Sequence, residues 1–283
     1  MTLIEARNLY RVSLSTRYTE GEIDYYFKSI LATVLQIEPL SIALQPHLEL
    51  EAKKKERLKQ ILEALIQEKP LQYILGQIPF RKLVLKVNPL VLIPRPETEE
   101  LVDWVIADYL DIHSEVVAID MGTGSGCIAL SLKKEQPLFQ VHVLDLQQDI
   151  LGLVQENANL NEVEVNCIAW DMTQLEKLQF KVDLIISNPP YITPQEKTAM
   201  KKNVLDYEPH QALFVPQENP LLYYRHILEY AHKNLKAKGK LYFEINPLFE
   251  SELETLISSF EYYSLTKRED LFGKVRMFRL EKE

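Results

Sequence analysis

The stretch Val116-Val-Ala-Ile-Asp-Met-Gly-Thr-Gly-Ser-Gly126 decides the fold of this chain. It joins a short apolar strand, Val116–Asp120, to glycines spaced as GxGxG, and a helical pattern follows from Ile128 to Lys134. Glycines let the backbone turn tightly and approach a ligand, and the start of the helix presents free N–H groups there. The spacing matches neither the GxGxxG of dinucleotide sites nor the GK[ST] of P-loops. It predicts a strand, a ligand-binding loop and a helix, in that order.

Strands and helices continue to alternate after this loop. The further predicted strands are Val141–Asp145, Val163–Ala169, Val182–Ser187, Lys240–Ile245 and 275–280. Helical patterns run over Ile150–Leu160 and Leu221–Leu235. Repeated β–α alternation predicts a mostly parallel sheet with helices on both faces. We therefore expect residues 98–283 to form an α/β domain.

The first part of the chain has a different pattern. Residues 1–74 show helical periodicity without strand alternation, most clearly at Glu22–Leu35 and Ala52–Gln67. Amphipathic segments of this kind usually form a small helical bundle, and we predict one here.

A short segment, residues 75–97, separates these two regions and is predicted to be a β-hairpin linker. Residues Phe80–Val87 alternate as a strand does, and Asn88-Pro89 ends the pattern. Thr98 is predicted as the N-cap of the helix that follows, because acidic residues occupy the next positions.

Composition limits the range of functions. The 283 residues carry a net charge of -9, which argues against stable nucleic-acid binding because phosphates require a basic surface. No apolar run approaches the roughly 20 residues of a membrane span, and no signal-peptide pattern begins the chain. Only Cys127 and Cys167 are present, without a CxxC pair, which predicts a cytoplasmic protein with buried, inert thiols. The six histidines form no metal-spaced pair, so we expect no metal.

Acidic residues at strand ends suggest a nucleoside ligand. Asp120 ends the first strand, and Asp145 ends the next, where a carboxylate meets ribose hydroxyls in nucleotide-binding folds. Asp171-Met172 follows the third strand and is predicted to meet an adenine edge and face. A nucleoside site without a phosphate-binding motif indicates S-adenosylmethionine as the cofactor. Nearby acidic side chains favour its positively charged sulfonium.

Asn188-Pro189-Pro190-Tyr191 follows the predicted strand Val182–Ser187. The Asn188 side-chain oxygen accepts a hydrogen bond from a planar NH2 group, and the prolines offer carbonyls without competing donors. The Tyr191 ring offers a flat wall. The alternative interpretation is a rigid turn without chemistry, because Asn-Pro and Pro-Pro are common in loops.

Five segments spread over most of the chain carry a family resemblance. They are Lys69-Pro-Leu-Gln-Tyr-Ile-Leu-Gly76, Ile93-Pro-Arg-Pro-Glu-Thr-Glu99, Asp120-Met-Gly-Thr-Gly-Ser-Gly126, Asp183-Leu-Ile-Ile-Ser-Asn-Pro-Pro-Tyr-Ile192 and Tyr207-Glu-Pro209. In these segments the chain resembles the release factor glutamine methyltransferases, also called the HemK or PrmC family. The NPPY motif alone is shared with adenine-N6 DNA methyltransferases, and the first two segments distinguish the two groups.

The resemblance implies a Rossmann-like, seven-stranded class I methyltransferase sheet that binds S-adenosylmethionine. It also implies methyl transfer to the glutamine amide in the Gly-Gly-Gln motif of class 1 peptide chain release factors, with Asn188 to Tyr191 as the catalytic, amide-binding residues. The cofactor residues that it implies are Asp120, Gly122, Thr123, Gly124, Ser125, Gly126, Asp145, Asp171, Met172 and Asn188. The chain departs from the family at Met172, which is often aromatic in relatives, and at Asn246, where relatives have glycine after Glu-Ile.

Two other function classes remain open at this point. An amino-methyltransferase acting on adenine or guanine in DNA or RNA would use the same NPPY clamp, although it also needs a basic groove. A non-catalytic binder would keep the fold without the reaction. Arg95 and Glu97 are candidates for the entrance of the site, with surface linker residues as the alternative.

Overall fold

The computed structural model describes residues 1–260 and 263–283. These residues form two compact units. The first unit comprises residues 1–76 with 201–207, and the second comprises residues 77–200 with 208–283.

The first unit is helical, as the sequence pattern predicts. Its helices are α1 (Leu3–Leu14), α2 (Glu20–Thr33), α3 (Ser41–Leu44), α4 (Ala52–Ile66), α5 (Leu71–Leu75) and α9 (Lys202–Tyr207). Helices α1 and α2 both begin with a capping box, in which a threonine and the glutamate three residues later satisfy each other's backbone N–H groups. The core of the unit includes Tyr10 and Phe27, and the Tyr10 hydroxyl donates to the Leu58 carbonyl oxygen at 2.7 Å.

The second unit is an α/β domain with an additional hairpin. Its strands are β1 (Gln77–Phe80), β2 (Leu83–Lys86), β3 (Val116–Met121), β4 (Phe139–Asp145), β5 (Asn166–Ala169), β6 (Val182–Ser187), β7 (Leu235–Glu244), β8 (Tyr263–Glu269) and β9 (Val275–Lys282). Its helices are α6 (Pro96–Asp108), α7 (Cys127–Glu135), α8 (Gln148–Leu160), α10 (His210–Leu213), α11 (Leu222–Asn234) and α12 (Glu250–Ser258), with short 3-10 helices at Met172–Lys177, Pro194–Ala199 and Pro247–Phe249.

The seven-stranded sheet has the order β5-β4-β3-β6-β7-β9-β8. Strands β3 to β7 pair in parallel, and β9 runs antiparallel to both of its neighbours. Helices α6, α7 and α8 pack on one face, and α11 and α12 pack on the other. The mostly parallel sheet covered on both faces is therefore confirmed. The strand order reverses between β3 and β6, and ligands of open α/β sheets bind at such a switch point, beyond the carboxyl ends of the strands.

The hairpin differs from the single strand predicted over Phe80–Val87. Strands β1 and β2 form an antiparallel pair of four residues each, joined at Arg81 and Lys82. Arg81 has a φ of +50°, and its guanidinium forms ion pairs with Asp103 and with Glu135. These contacts with side chains distant in the sequence stabilise a turn that strand alternation alone does not reveal.

Three further expectations need correction. Thr98 is not an N-cap, because α6 begins at Pro96 with Arg95 as the capping residue; proline's fixed φ suits the first helical position. Strand β8 is not among the predicted strands. Five of its seven residues are exposed, and only Tyr263 and Leu265 are partly buried. Cys167 is exposed on the edge strand β5, whereas Cys127 is buried as expected. Within the described ranges, no helix has the length and apolar character required to cross a membrane.

Candidate active site

A cavity of about 470 Å³ lies at the carboxyl ends of the parallel strands, within the second unit. Its wall includes most of the residues that the sequence singled out: Gly122, Thr123, Gly124, Ser125, Asp145, Asp171, Met172, Asn188 and Pro190. Four others, Asp120, Gly126, Pro189 and Tyr191, are not part of the lining. The structure thus brings the glycine loop, two strand-end acids and the Asn-Pro-Pro segment to one site.

The glycine loop requires left-handed backbone at all three glycines. Gly122, Gly124 and Gly126 have φ values of +77°, +53° and +82°, a region that side chains disfavour. A Cβ atom on Gly126 would also lie 3.1 Å from side-chain atoms of Leu130 and Val154. Gly126 therefore shapes the loop from behind, although it does not touch the cavity.

Asp120 supports this loop from below. The residue is 1% exposed, and its Oδ2 accepts a hydrogen bond from the Thr123 hydroxyl at 2.7 Å. Its Oδ1 has no protein partner among the described residues. Burial raises the pKa of Asp120 to about 7, with only partial compensation from the Thr123 hydrogen bond.

Asp145 lies at the cavity wall and already accepts backbone N–H groups. Gly124 donates to Oδ2 at 3.2 Å, and Gln147 donates to Oδ1 at 3.3 Å. Burial raises the pKa of the carboxyl group, and these N–H groups oppose that shift. A carboxylate has about four lone-pair positions, so acceptor capacity remains for a ligand with hydroxyl groups.

Asp171 and Met172 form another part of the wall. Asp171 caps the 3-10 helix that follows, since its Oδ1 accepts the Thr173 backbone N–H at 2.8 Å and the Thr173 hydroxyl at 2.7 Å. These bonds lower the pKa of Asp171. The Met172 thioether lies next to Gly122, where a Cβ atom would be 3.2 Å from its terminal carbon. Gly122 thus leaves room for an unbranched apolar side chain against the loop.

The Asn188 side chain faces the cavity and is held at its nitrogen end. Its Nδ2 donates to the Thr98 hydroxyl oxygen at 3.2 Å, and Thr98 in turn donates to Glu244 Oε2 at 2.6 Å. The Tyr191 hydroxyl donates to the other oxygen of the same carboxylate at 2.9 Å. Burial and the Glu244 carboxylate raise the pKa of Tyr191 well above its ordinary value. The structure therefore directs Tyr191 toward Glu244.

Three residues of the site were missed or misassigned from the sequence. Thr98 is predicted as a helix cap, Asn246 is named only as a departure from the family, and Glu244 is not singled out. Asn246 Nδ2 donates to the Tyr191 main-chain oxygen at 3.1 Å and to the Glu196 carboxylate. The rule that selected Asp120, an acid at a strand end, also applies to Glu244 and would have identified it.

Glu208, shortly before α10, forms hydrogen bonds with Ile93 and Arg95, which precede α6. Glu208, which is 4% exposed, accepts hydrogen bonds from the Arg95 guanidinium at 2.7 Å and from the Ile93 backbone N–H at 3.3 Å. Arg95 lines the cavity, whereas Glu97 does not. The described wall contains no lysine and no arginine besides Arg95. The Arg95 guanidinium is already paired with the Glu208 carboxylate.

Two other features of the site concern chemistry. Burial raises the pKa of the Cys127 thiol to about 12, so this cavity-lining cysteine is a poor nucleophile at neutral pH. Across residues 1–260 and 263–283, no group of three or more His, Cys, Asp or Glu side chains is arranged to hold a metal ion.

Comparisons with protein-family models match both parts of the chain. Residues 6–76 match the PrmC N-terminal domain, and residues 104–210 match the methyltransferase small domain.

Relatives similar to this chain over most of their length include two bacterial release factor glutamine methyltransferases. The protein from Flavobacterium psychrophilum is 40% identical over 282 residues, covering 99% of both chains. The protein from Bacteroides thetaiotaomicron is 38% identical over 268 residues, covering 94% of this chain and 95% of its own. Among solved structures, a methyltransferase from Pyrococcus furiosus shares the fold at a TM-score of 0.52 and 15% identity, covering 82% of this chain and 98% of the other.

Proposed function

This chain belongs to the release factor glutamine methyltransferase family, and from that premise we propose its reaction in detail. The enzyme transfers a methyl group from S-adenosylmethionine to the side-chain amide nitrogen of a glutamine. The substrate is the Gly-Gly-Gln motif of class 1 peptide chain release factors, and the reaction takes place in the cytoplasm. The helical first unit docks the body of the substrate protein.

One observation carries this proposal. The Asn188 carboxamide and the glycine loop line the same cavity, and no described residue donates to Asn188 Oδ1. Asn188 Oδ1 is therefore available as an acceptor, in a residue that lines the same cavity as the glycine loop. The chemistry that such an acceptor recognises is a planar NH2 group, which glutamine carries.

The cavity wall fits the proposed cofactor. Asp145 retains lone pairs for two ribose hydroxyls, and the Met172 thioether offers an apolar face for adenine. Among the described residues of the wall, Arg95 is the one arginine and it is paired with Glu208, so the wall offers no free lysine or arginine to a phosphate. A sulfonium nucleoside needs none. When bound, this cofactor supplies an electrophilic methyl group.

The chain's own residues solve a problem of amide chemistry. An amide nitrogen is a poor nucleophile because its lone pair is delocalised into the carbonyl group. In our mechanism, Asn188 Oδ1 accepts one N–H of the substrate amide. The other N–H is accepted by the main-chain oxygen of Pro189, which lies outside the lining but between the lining residues Asn188 and Pro190. Pro190 adds no competing donor. These bonds fix the nitrogen's direction and strengthen as positive charge develops on it, so they favour the transition state. One N–H proton then leaves to solvent, and no general base is required.

A labelling experiment tests the substrate class. Purified enzyme with labelled S-adenosylmethionine should incorporate methyl groups into a class 1 release factor and none into DNA or RNA. Conversion of the Gly-Gly-Gln glutamine to alanine in that release factor should abolish incorporation. Labelling of nucleic acid alone would instead support the amino-methyltransferase of bases, and labelling of neither would support a non-catalytic binder.

Asn188→Ala tests the clamp. We expect it to lower kcat by at least about a hundredfold, as removal of a single transition-state hydrogen-bond partner does elsewhere. Cofactor affinity measured by calorimetry should change far less than kcat, although the resemblance also places Asn188 near the cofactor. The matched control is Asn159→Ala, which removes an exposed asparagine of α8. Retained turnover in Asn188→Ala would remove this side chain from the mechanism.

A further inference from the structure

The two ends of the Asn188 carboxamide have nearly the same shape and opposite hydrogen-bonding character. Oδ1 accepts from a substrate NH2 group, whereas Nδ2 would meet that group donor to donor. The clamp of the proposed function works only if Oδ1 faces the substrate. Some feature of the protein must therefore fix the orientation of this amide.

Thr98 fixes the orientation of the Asn188 amide because the Thr98 hydroxyl has a single proton. That proton is donated to Glu244 Oε2 across 2.6 Å. The Thr98 oxygen can then only accept, and the partner at 3.2 Å is the Asn188 side chain. Asn188 must present Nδ2 to Thr98, which leaves Oδ1 for the cavity.

Glu244 sets the direction of this chain of hydrogen bonds. Its two oxygens accept from two different hydroxyl groups, those of Thr98 and Tyr191. Glu244 and Thr98 are both 2% exposed, so bulk water does not replace either partner. Burial raises the pKa of Glu244, while the two hydroxyl donors and the charge of Arg276 oppose that shift.

We propose that Glu244 is a positioning residue that acts through Thr98 to hold Asn188 with its carbonyl oxygen toward the substrate amide. This inference rests on the proposed function, because it assigns a role to Glu244 in that reaction. Glu244 touches neither substrate nor cofactor and lies outside the cavity lining. Its effect is therefore on the rate of methyl transfer and leaves cofactor binding intact.

Isosteric substitutions test the direction of the hydrogen bonds that run from Asn188 through Thr98 to Glu244. Glu244→Gln introduces an NH2 group that can donate to Thr98, which frees the Thr98 proton to donate to Asn188 and favours the reversed amide. Thr98→Val removes the hydroxyl, and Thr98→Ser keeps it. We expect Glu244→Gln and Thr98→Val to lower kcat about a hundredfold. The kcat of Thr98→Ser should stay within about threefold of the wild-type value.

The matched control is Tyr224→Phe. The Tyr224 hydroxyl is buried and donates to the main-chain oxygen of Glu244 at 2.9 Å, so its loss weakens the same strand end without touching the chain to Asn188. This control should lower the melting temperature while kcat and KM for the release factor stay at the wild-type level. For every variant, cofactor affinity measured by calorimetry verifies that the site is folded.

The possible outcomes separate the hypotheses. Loss of kcat in Glu244→Gln and Thr98→Val, with cofactor affinity intact and rescue in Thr98→Ser, supports the positioning role. Unchanged kcat in either folded variant, or equal loss of kcat and cofactor affinity, overturns it. If Glu244→Gln does not fold, Thr98→Val and Thr98→Ser decide the question. Wild-type enzyme that methylates no class 1 release factor refutes the proposed function, whereas an active wild type with fully active variants refutes only the role of Glu244.

Discussion

Asp120 should make the α/β unit less stable as the pH rises. The residue is buried beneath the glycine loop, and burial raises its pKa to about 7. Asp120→Asn keeps the size of the side chain and an oxygen that can accept the Thr123 hydrogen bond, and it removes the ionisation. The wild type and Asp120→Asn should therefore differ most in stability at high pH.

The sign follows from the two protonation equilibria. In the unfolded chain the carboxyl group has a pKa near 3.9, and in the folded protein it is about 7. Below about pH 4 the group is protonated in both states, and its contribution to stability is fully present. As the pH rises toward 7 only the unfolded chain loses the proton, which costs about 1.4 kcal/mol per pH unit. Between about pH 5 and about pH 8 the loss amounts to about 3 kcal/mol.

Urea unfolding at several pH values measures this difference. Both tryptophans of the chain, Trp104 and Trp170, lie in the α/β unit, so tryptophan fluorescence follows the unit that contains Asp120. The free energy of unfolding of Asp120→Asn minus that of the wild type should increase by about 3 kcal/mol from about pH 5 to about pH 8. The matched control is Asp111→Asn, which removes an exposed carboxylate from the same unit.

A difference that does not change with pH, or that decreases as the pH rises, would refute a raised pKa for Asp120 in the folded protein. The first result would mean that Asp120 has the same pKa in both states. The second would mean that the folded protein stabilises the ionised carboxylate. In either case burial would not dominate the electrostatics of the loop.

Two further predictions concern the same site. Asp145→Ala should weaken binding of S-adenosylhomocysteine by about 1.5–3 kcal/mol, the scale of charge-assisted hydrogen bonds; unchanged affinity in calorimetry would show that this acid is structural. Gly126→Ala should lower the free energy of unfolding by about 2–4 kcal/mol, because a side chain at φ +82° is strained and its Cβ would crowd Leu130 and Val154. The control is Gly152→Ala, whose Cβ would meet no atom within 4 Å, and equal effects of the two substitutions on urea unfolding would contradict the argument.

Much of the α/β unit was predictable because its signals are local. A strand, a glycine loop and a helix follow one another over Val116–Glu135, and each is encoded by neighbouring residues. Strand β8 was not predicted because its apolar alternation is limited to its first four residues and its last three are charged and exposed. The hairpin turn at Arg81 escaped because ion pairs with Asp103 and Glu135 stabilise it, and those partners are distant in the sequence.

In the candidate site, too, some residues follow from local sequence patterns and others do not. Acids and glycines at strand ends identify the cavity wall, because in a parallel sheet the carboxyl ends of the strands meet at one edge. The supporting residues follow no local pattern. Thr98 has the appearance of a helix cap in the sequence, but its hydroxyl is used by a carboxylate on β7.

The sequence by itself determined the α/β alternation, the helical N-terminal region, the glycine loop and the Asn-Pro-Pro segment, because each depends on short-range periodicity or backbone preference. Only the tertiary structure decided which atoms hold Asn188 in place. Thr98 and Glu244 are 146 positions apart and meet because β7 pairs with β6, beside the first turn of α6. The direction of a hydrogen bond depends on which donor and acceptor are neighbours in space, and the linear order of residues does not contain that information.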